Sequence, residues 1–263
     1  MKEPKTIYYA SFSDDVIVNA NQDYTLPGDY RWMDDSRKGR FLSRIVYGAA
    51  VIFSFFYTKL VWHMKVENQE VLQSAGDRGY FLYANHTQPF GDVFFPAWVN
   101  LKKRIYVIVS QANYGLPVIG KLLPYLGALP LGKDLKGMEN LRKAVDRRIQ
   151  EKKCVVVYPE AHVWPYYTKI RPFSDTAFHY PVNLGAPVFA MTTTYQKRKN
   201  GKRPRITIYV DGPFFPDTSL SKRAQRQALC AQVRAAMTRR SQMSNCEYVT
   251  YVQRKPDGEG GSE

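Results

Sequence analysis

After Gly76 the chain falls into a rhythm that few folds accommodate. Five short apolar runs, Tyr80–Ala84, Ile105–Val109, Val155–Tyr158, Val188–Met191 and Ile206–Val210, are each too short for a core helix. Runs that are apolar on both faces read as strands buried in the middle of a sheet. Between them, Met138–Glu151 places Leu141, Val145 and Ile149 at helical spacing, and Val93–Leu101 reads as a further helix. Strands alternating with helices predict an α/β fold, a single domain with a mainly parallel or mixed sheet covered by helices. Its bounds fall at residues 76–215.

The flanking segments have a different texture. Residues 1–40 are broken by turn signals, Asn21-Gln22-Asp23 and Leu26-Pro27-Gly28-Asp29, and read as a peripheral arm with no functional assignment. Within 41–75, the 14 residues Ile45–Thr58 carry no charge and are bracketed by Arg44 and Lys59. As a helix they reach about 21 Å, short of the ~30 Å hydrocarbon core of a bilayer. The segment reads first as an N-terminal interfacial or monotopic helix with snorkelling flanks, ahead of a buried core helix or a true span. In 216–263, Leu220–Arg240 reads as a basic helix and Lys255–Glu263 as a disordered tail.

Charge narrows the partners. A formal net charge of +15, with the excess concentrated from Lys197 onward, favours anionic surfaces. Lys197–Arg205 and Lys222–Arg240 would suit phosphate, but no nucleic-acid motif accompanies them. The expected partner is therefore a membrane surface with anionic lipids and not nucleic acid. Cys154, Cys230 and Cys246 are too far apart for a zinc site or a disulfide framework. Met1–Asn19 lacks the apolar stretch of a signal peptide, so the expected location is the cytoplasmic face of the cell membrane.

In open α/β sheets ligands gather beyond the carboxyl ends of the strands. Two such ends carry chemistry. Tyr80–Ala84 runs into Asn85-His86-Thr87-Gln88-Pro89-Phe90-Gly91-Asp92, and Val155–Tyr158 into Pro159-Glu160-Ala161-His162. The chain has 4 histidines, and two of them lie here. Between these ends, Leu126–Lys133 closes on a glycine and a lysine. The apolar stretch Tyr114–Leu131 carries 3 prolines, which exclude a spanning helix and leave core or the wall of an acyl-chain groove.

Four blocks in order give a more specific signal: Asn85-His86 with Asp92, Leu129-Pro130-Leu131-Gly132-Lys133, Val157-Tyr158-Pro159-Glu160, and Gly185-Ala186-Pro187-Val188. In these the chain resembles the glycerolipid acyltransferase superfamily, the 1-acyl-glycerol-3-phosphate acyltransferases in particular. The third block of that family reads Phe-Pro-Glu-Gly-Thr-Arg; here the Gly-Thr-Arg gives way to Ala161-His162-Val163. The family places four residues between His and Asp, and this chain has 5. Six positions along a regular helix turn through about 240°, so the pair meets only if the segment is not helical. Pro89 and Gly91 make such a path feasible.

The resemblance implies an O-acyltransferase of phospholipid synthesis. It would move a fatty acyl group from acyl-CoA or acyl-carrier protein to the hydroxyl of lysophosphatidic acid, with glycerol-3-phosphate or another lysolipid as alternative acceptors. It implies His86 as general base, Asp92 as its orienter, and no cofactor beyond the acyl thioester co-substrate. Glu160 would position the acceptor or only support the loop, and His162 would contact substrate or pack behind the site. Lys133, Lys169 and Arg171 would grip the acceptor's phosphate, the last two in place of the missing arginine. Two rival classes find less in the sequence. A metal-dependent phosphoesterase would use His86, Asp92, Glu160 and His162, without further ligands at metal spacing; a non-enzymatic binder would use the basic C-terminal third alone.

Overall fold

The computed structural model describes residues 5–17, 22–34, 36–89, 91–199 and 203–254; the tail read from Lys255 to Glu263, and Phe90 within the histidine motif, lie outside them. Its centre is a seven-stranded sheet. In chain order the strands are β2 (Lys65–Glu67), β3 (Tyr80–Ala84), β4 (Ile105–Val109), β5 (Ala128–Pro130), β6 (Cys154–Val157), β7 (Val188–Gln196) and β8 (Arg205–Phe214). In space the order is β2-β8-β7-β3-β6-β4-β5. The five strands from β7 to β5 run parallel, and β8 turns back antiparallel on β7 with β2 beside it. This is the mixed, helix-covered sheet the sequence predicts.

Strand alternation divides the core in two. Phe81, Tyr83, Val155 and Val157 face helices α4 (Leu135–Gln150), α5 (His179–Leu184) and α6 (Lys222–Ser241). Their neighbours Tyr80, Leu82, Cys154 and Val156 face α2 (Gly91–Val99), through Phe95 and Val99. Because both faces are covered, the central strands read as continuous apolar runs. Asp134 and Ser221 cap α4 and α6, each accepting a backbone N–H from three residues on.

The apolar N-terminal segment is longer than its uncharged stretch. Helix α1 (Arg37–Phe56) starts at the Ser36 cap and continues as a π-turn over Tyr57–Trp62. By length and composition, Arg37–Trp62 is sufficient to cross a membrane. One side is docked on the body: the Ser54 hydroxyl donates to the Phe94 carbonyl at 3.0 Å, the Tyr47 hydroxyl accepts from Ile105 N–H at 3.0 Å, and Ser43 donates to the Tyr125 carbonyl at 3.0 Å. The other side exposes Phe41, Ile45, Ile52, Phe56 and Leu60, one stripe at helical spacing. Helix α3 (Ile119–Leu126) packs beside α1 and exposes Val118, Ile119 and Leu122. The stretch read as core or groove wall thus lies next to the apolar helix.

The N-terminal arm is built into the fold. Its strand β1 (Lys5–Tyr9) pairs in parallel with β9 (Val249–Gln253), forming a second, two-stranded sheet. Beyond β1 the arm runs across the carboxyl edge of the large sheet. Leu26 N–H donates to Gln111 and the Trp32 indole to the Pro130 carbonyl.

Candidate active site

Strand β3 ends where a side chain replaces the ladder. Asn85 Nδ2 donates to the Thr193 carbonyl at 3.0 Å, and Thr193 N–H donates back to Asn85 Oδ1 at 2.8 Å. This reciprocal pair ties the motif to β7 and lets the chain turn out of the sheet. Tyr195, also on β7, anchors the next two residues: its hydroxyl lies 2.7 Å from Thr87 Oγ1 and accepts from Gln88 Nε2 at 3.0 Å. From the other side, Trp164 N–H donates to the His86 carbonyl at 3.0 Å and Tyr166 N–H to that of Thr87 at 2.9 Å.

Held this way, residues 85–89 are not helical, and α2 begins only at Gly91, where a Cβ would collide with the Phe95 ring. The extra residue between His86 and Asp92 is absorbed in that path. His86 Nδ1 and Asp92 Oδ2 lie 2.7 Å apart, and Gln88 N–H donates to the same oxygen at 2.9 Å. Asp92 is only 2% exposed. Burial raises its carboxyl above the ordinary value, against the lowering effect of the His86 imidazole and nearby N–H groups. The His86 side chain keeps 20% of its surface exposed, so its edge is reachable from outside.

Two residues that the sequence analysis did not single out complete the dyad. Tyr158 stacks on the imidazole with ring centroids 4.3 Å apart, and its hydroxyl donates to the Asp92 carbonyl at 2.6 Å. Tyr195 sets the loop between base and carboxylate. The first occupies the aromatic position of the third block; nothing in the sequence pairs the second with the loop.

The other predicted site residues divide. Glu160 is adjacent but turned inward: it accepts from His86 N–H at 3.2 Å, from Arg171 N–H at 2.9 Å and from the Arg171 guanidinium at 3.3 Å. Both side chains are fully buried. Arg171 also donates to the carbonyls of Phe12 and His162 and lies 4.8 Å from the Trp164 ring. It is therefore an internal strut of the loop, with its charge turned toward Glu160. His162 Nδ1 is 3.5 Å from Asp15 Oδ2 of the arm. Lys169 is exposed on the same loop. Lys133 donates to the Tyr24 carbonyl at 3.0 Å, beyond β5, three strand spacings or about 14 Å from β3.

On the dyad's own side of the sheet stands an aromatic wall: Tyr57, Trp62, Phe94, Tyr166 and Tyr248. Two arginines meet it, Arg198 donating to the Trp62 carbonyl at 3.0 Å and Arg203 lying 5.9 Å from the Trp62 ring. Among the described residues, no group of three or more His, Cys, Asp or Glu side chains is arranged to hold a metal ion.

Comparison with known proteins gives this geometry a family. A solved structure, the 1-acyl-sn-glycerophosphate (LPA) acyltransferase PlsC from Thermotoga maritima, superposes with a TM-score of 0.57 at 15% identity, covering 82% of this chain and 87% of that one. At that identity the likeness speaks for the fold. No curated protein matches. The acyltransferase family model matches residues 63–194, a stretch that carries β3, β6 and the whole His86–Asp92 motif. With half the chain matched and its sheet superposed, the protein belongs to the acyltransferase family, in keeping with its resemblance to the glycerolipid acyltransferases.

Proposed function

We propose that this acyltransferase moves a fatty acyl group from an acyl thioester to the hydroxyl of lysophosphatidic acid, giving phosphatidic acid at a membrane surface. The observation that carries the reading is the 2.7 Å contact of His86 with the buried Asp92 carboxylate. A carboxylate on Nδ1 keeps that nitrogen protonated and leaves Nε2 as the acceptor. Nε2 takes the proton of the acceptor hydroxyl as its oxygen attacks the thioester carbonyl. The C–S bond then breaks, and the imidazolium returns the proton to the departing thiolate. Backbone N–H groups in the first turn of α2 are the proposed donors to the oxyanion.

The acceptor follows from two supports, the resemblance in the four blocks and the activity named for the Thermotoga maritima protein. The buried state of Arg171 leaves the phosphate to be held elsewhere, and the altered third block keeps glycerol-3-phosphate or another lysolipid as the second reading of the acceptor. Arg198 and Arg203, on the dyad's side, would then provide the positive rim. Purified protein given radiolabelled acyl-CoA or acyl-carrier protein with lysophosphatidic acid is expected to form phosphatidic acid. Turnover is expected to survive a chelator, since the mechanism requires no metal; chelator-sensitive release of inorganic phosphate from the acceptor, without acyl transfer, would instead support the phosphoesterase reading of these side chains. No product with either donor, from folded protein that binds lipid, would sink this acceptor.

The membrane surface is the proposed partner of α1 and α3, with anionic lipid on the flanking cations and the cytoplasmic face as the proposed side. The exposed stripe and the aromatic wall that continues it toward His86 support the membrane contact. Ile52→Asp and Phe56→Asp are each expected to weaken binding to acidic vesicles by about tenfold or more, since each removes a large apolar side chain from the contact. The melting temperature should stay near that of the native protein, because both side chains are exposed. Unchanged vesicle binding in the double variant would remove the stripe as the contact.

A further inference from the structure

Pro96 lies inside α2, four residues after Asp92. In an α-helix the carbonyl of one residue accepts from the N–H four residues on, and proline has none to give. The Asp92 carbonyl is therefore left without its intrahelical donor, in a residue that is almost wholly buried. Tyr158 supplies the missing bond, at 2.6 Å. The same side chain lies against the imidazole of His86 with an interplanar angle of 23°. One residue thus touches both members of the dyad. Its ring sets the plane of the base, and its hydroxyl holds the first turn that carries the carboxylate.

We propose that Tyr158 is a positioning residue for the His86–Asp92 dyad, and that Pro96 is what makes its hydroxyl necessary. A phenylalanine, the residue of the resembled third block, would offer the ring without the donor. In this chain the bond is needed because the helix has no N–H to give the Asp92 carbonyl. The path from β3 to α2 carries one residue more than the family spacing, so the turn bearing Asp92 takes part of its placement from β6, where Tyr158 follows the last strand residue. The inference rests on His86 acting as the base, but the bond network it describes can be read without turnover.

The test is a cycle of four proteins: native, Tyr158→Phe, Pro96→Ala and the double variant. Tyr158→Phe is expected to lower kcat by about 10- to 100-fold with little change in acceptor KM, as expected for a misplaced base. Pro96→Ala restores a helical N–H four residues after Asp92 and is expected to leave kcat within about twofold of native, a proline-to-alanine change being favourable inside a helix. The double variant should recover most of the lost kcat, because the new N–H satisfies the carbonyl that Tyr158 no longer reaches. Equal loss in Tyr158→Phe and the double variant would overturn the coupling. Native kcat in Tyr158→Phe would overturn the positioning role altogether.

Proton NMR of the His86 imidazole supplies the readout independent of activity. The Nδ1 proton, held by Asp92, should give a protected downfield resonance that broadens in Tyr158→Phe and sharpens again in the double variant. If that pattern appears while no acyl transfer is found in the native protein, the positioning stands and the proposed reaction falls. If the resonance is indifferent to both substitutions, the positioning falls whatever the turnover.

Discussion

His86→Ala is expected to abolish nearly all acyl transfer, lowering kcat by about 10²–10⁴-fold, the range that a positioned acid–base group contributes. The loss should sit in kcat and leave the acceptor KM close to native, because the imidazole acts on a proton that moves only in the transition state. Asp92→Asn should follow in the same direction. Its amide would no longer fix the tautomer or offset the imidazolium, and a fall of about 10²-fold or more is expected. The geometry makes the pair's dependence strong: the carboxylate is buried, its Oδ2 is shared between His86 and Gln88 N–H, and the imidazole is stacked on Tyr158. Circular dichroism and a thermal melt on both variants separate lost chemistry from lost fold. Turnover in His86→Ala equal to native would end the mechanism proposed above.

Arg171→Ala should act on stability instead. Removing one partner of a fully buried pair leaves the other charge uncompensated, which costs about 3–5 kcal/mol. For a chain of this size that is about 10 °C in melting temperature. The penalty should depend on pH with a definite sign. Burial holds the Glu160 carboxyl above its ordinary value of 4.5 even with Arg171 beside it, and losing the guanidinium pushes it further up. A carboxyl whose folded pKa lies above its unfolded value binds its proton more tightly in the folded state, so acid favours folding. The deficit of the variant is therefore expected to be smallest near pH 4.5 and to widen as pH rises toward neutrality. Were Arg171 instead a surface grip on the acceptor's phosphate, the variant would raise the acceptor KM and leave the melting curve unmoved.

The contrast between these two residues marks what the sequence could tell. The central strands β3, β6 and β7 were legible because burial on both faces leaves an apolar run, and β4 and β8 as shorter runs of the same kind, with edges shifted by a few residues. His86 and Asp92 were legible through their order in a motif, and Pro89 and Gly91 even suggested the non-helical path. Burial of a charged side chain has no such signature. Arg171 lies 11 residues from Glu160, and nothing in that spacing says that the loop folds back to bury both. The short strands β2 and β5 were missed because three residues carry too little periodicity to read. The strand within the arm was missed for another reason: the partner of β1 is β9, at the other end of the described residues. Local pattern cannot show a pairing of that range.

That pairing also constrains when the structure can be completed. Lys5 sits opposite Val249 and Tyr9 opposite Gln253, so the first described strand waits for the last described one. Throughout synthesis of the large sheet, the arm that later buries Trp164, through Tyr9, Phe12 and the Asp14 carbonyl, has no partner strand to hold it there. Trp164 N–H in turn braces the His86 carbonyl. The contacts behind the loop that carries Trp164 thus depend on a strand pairing that a nascent chain stopped before residue 249 cannot make.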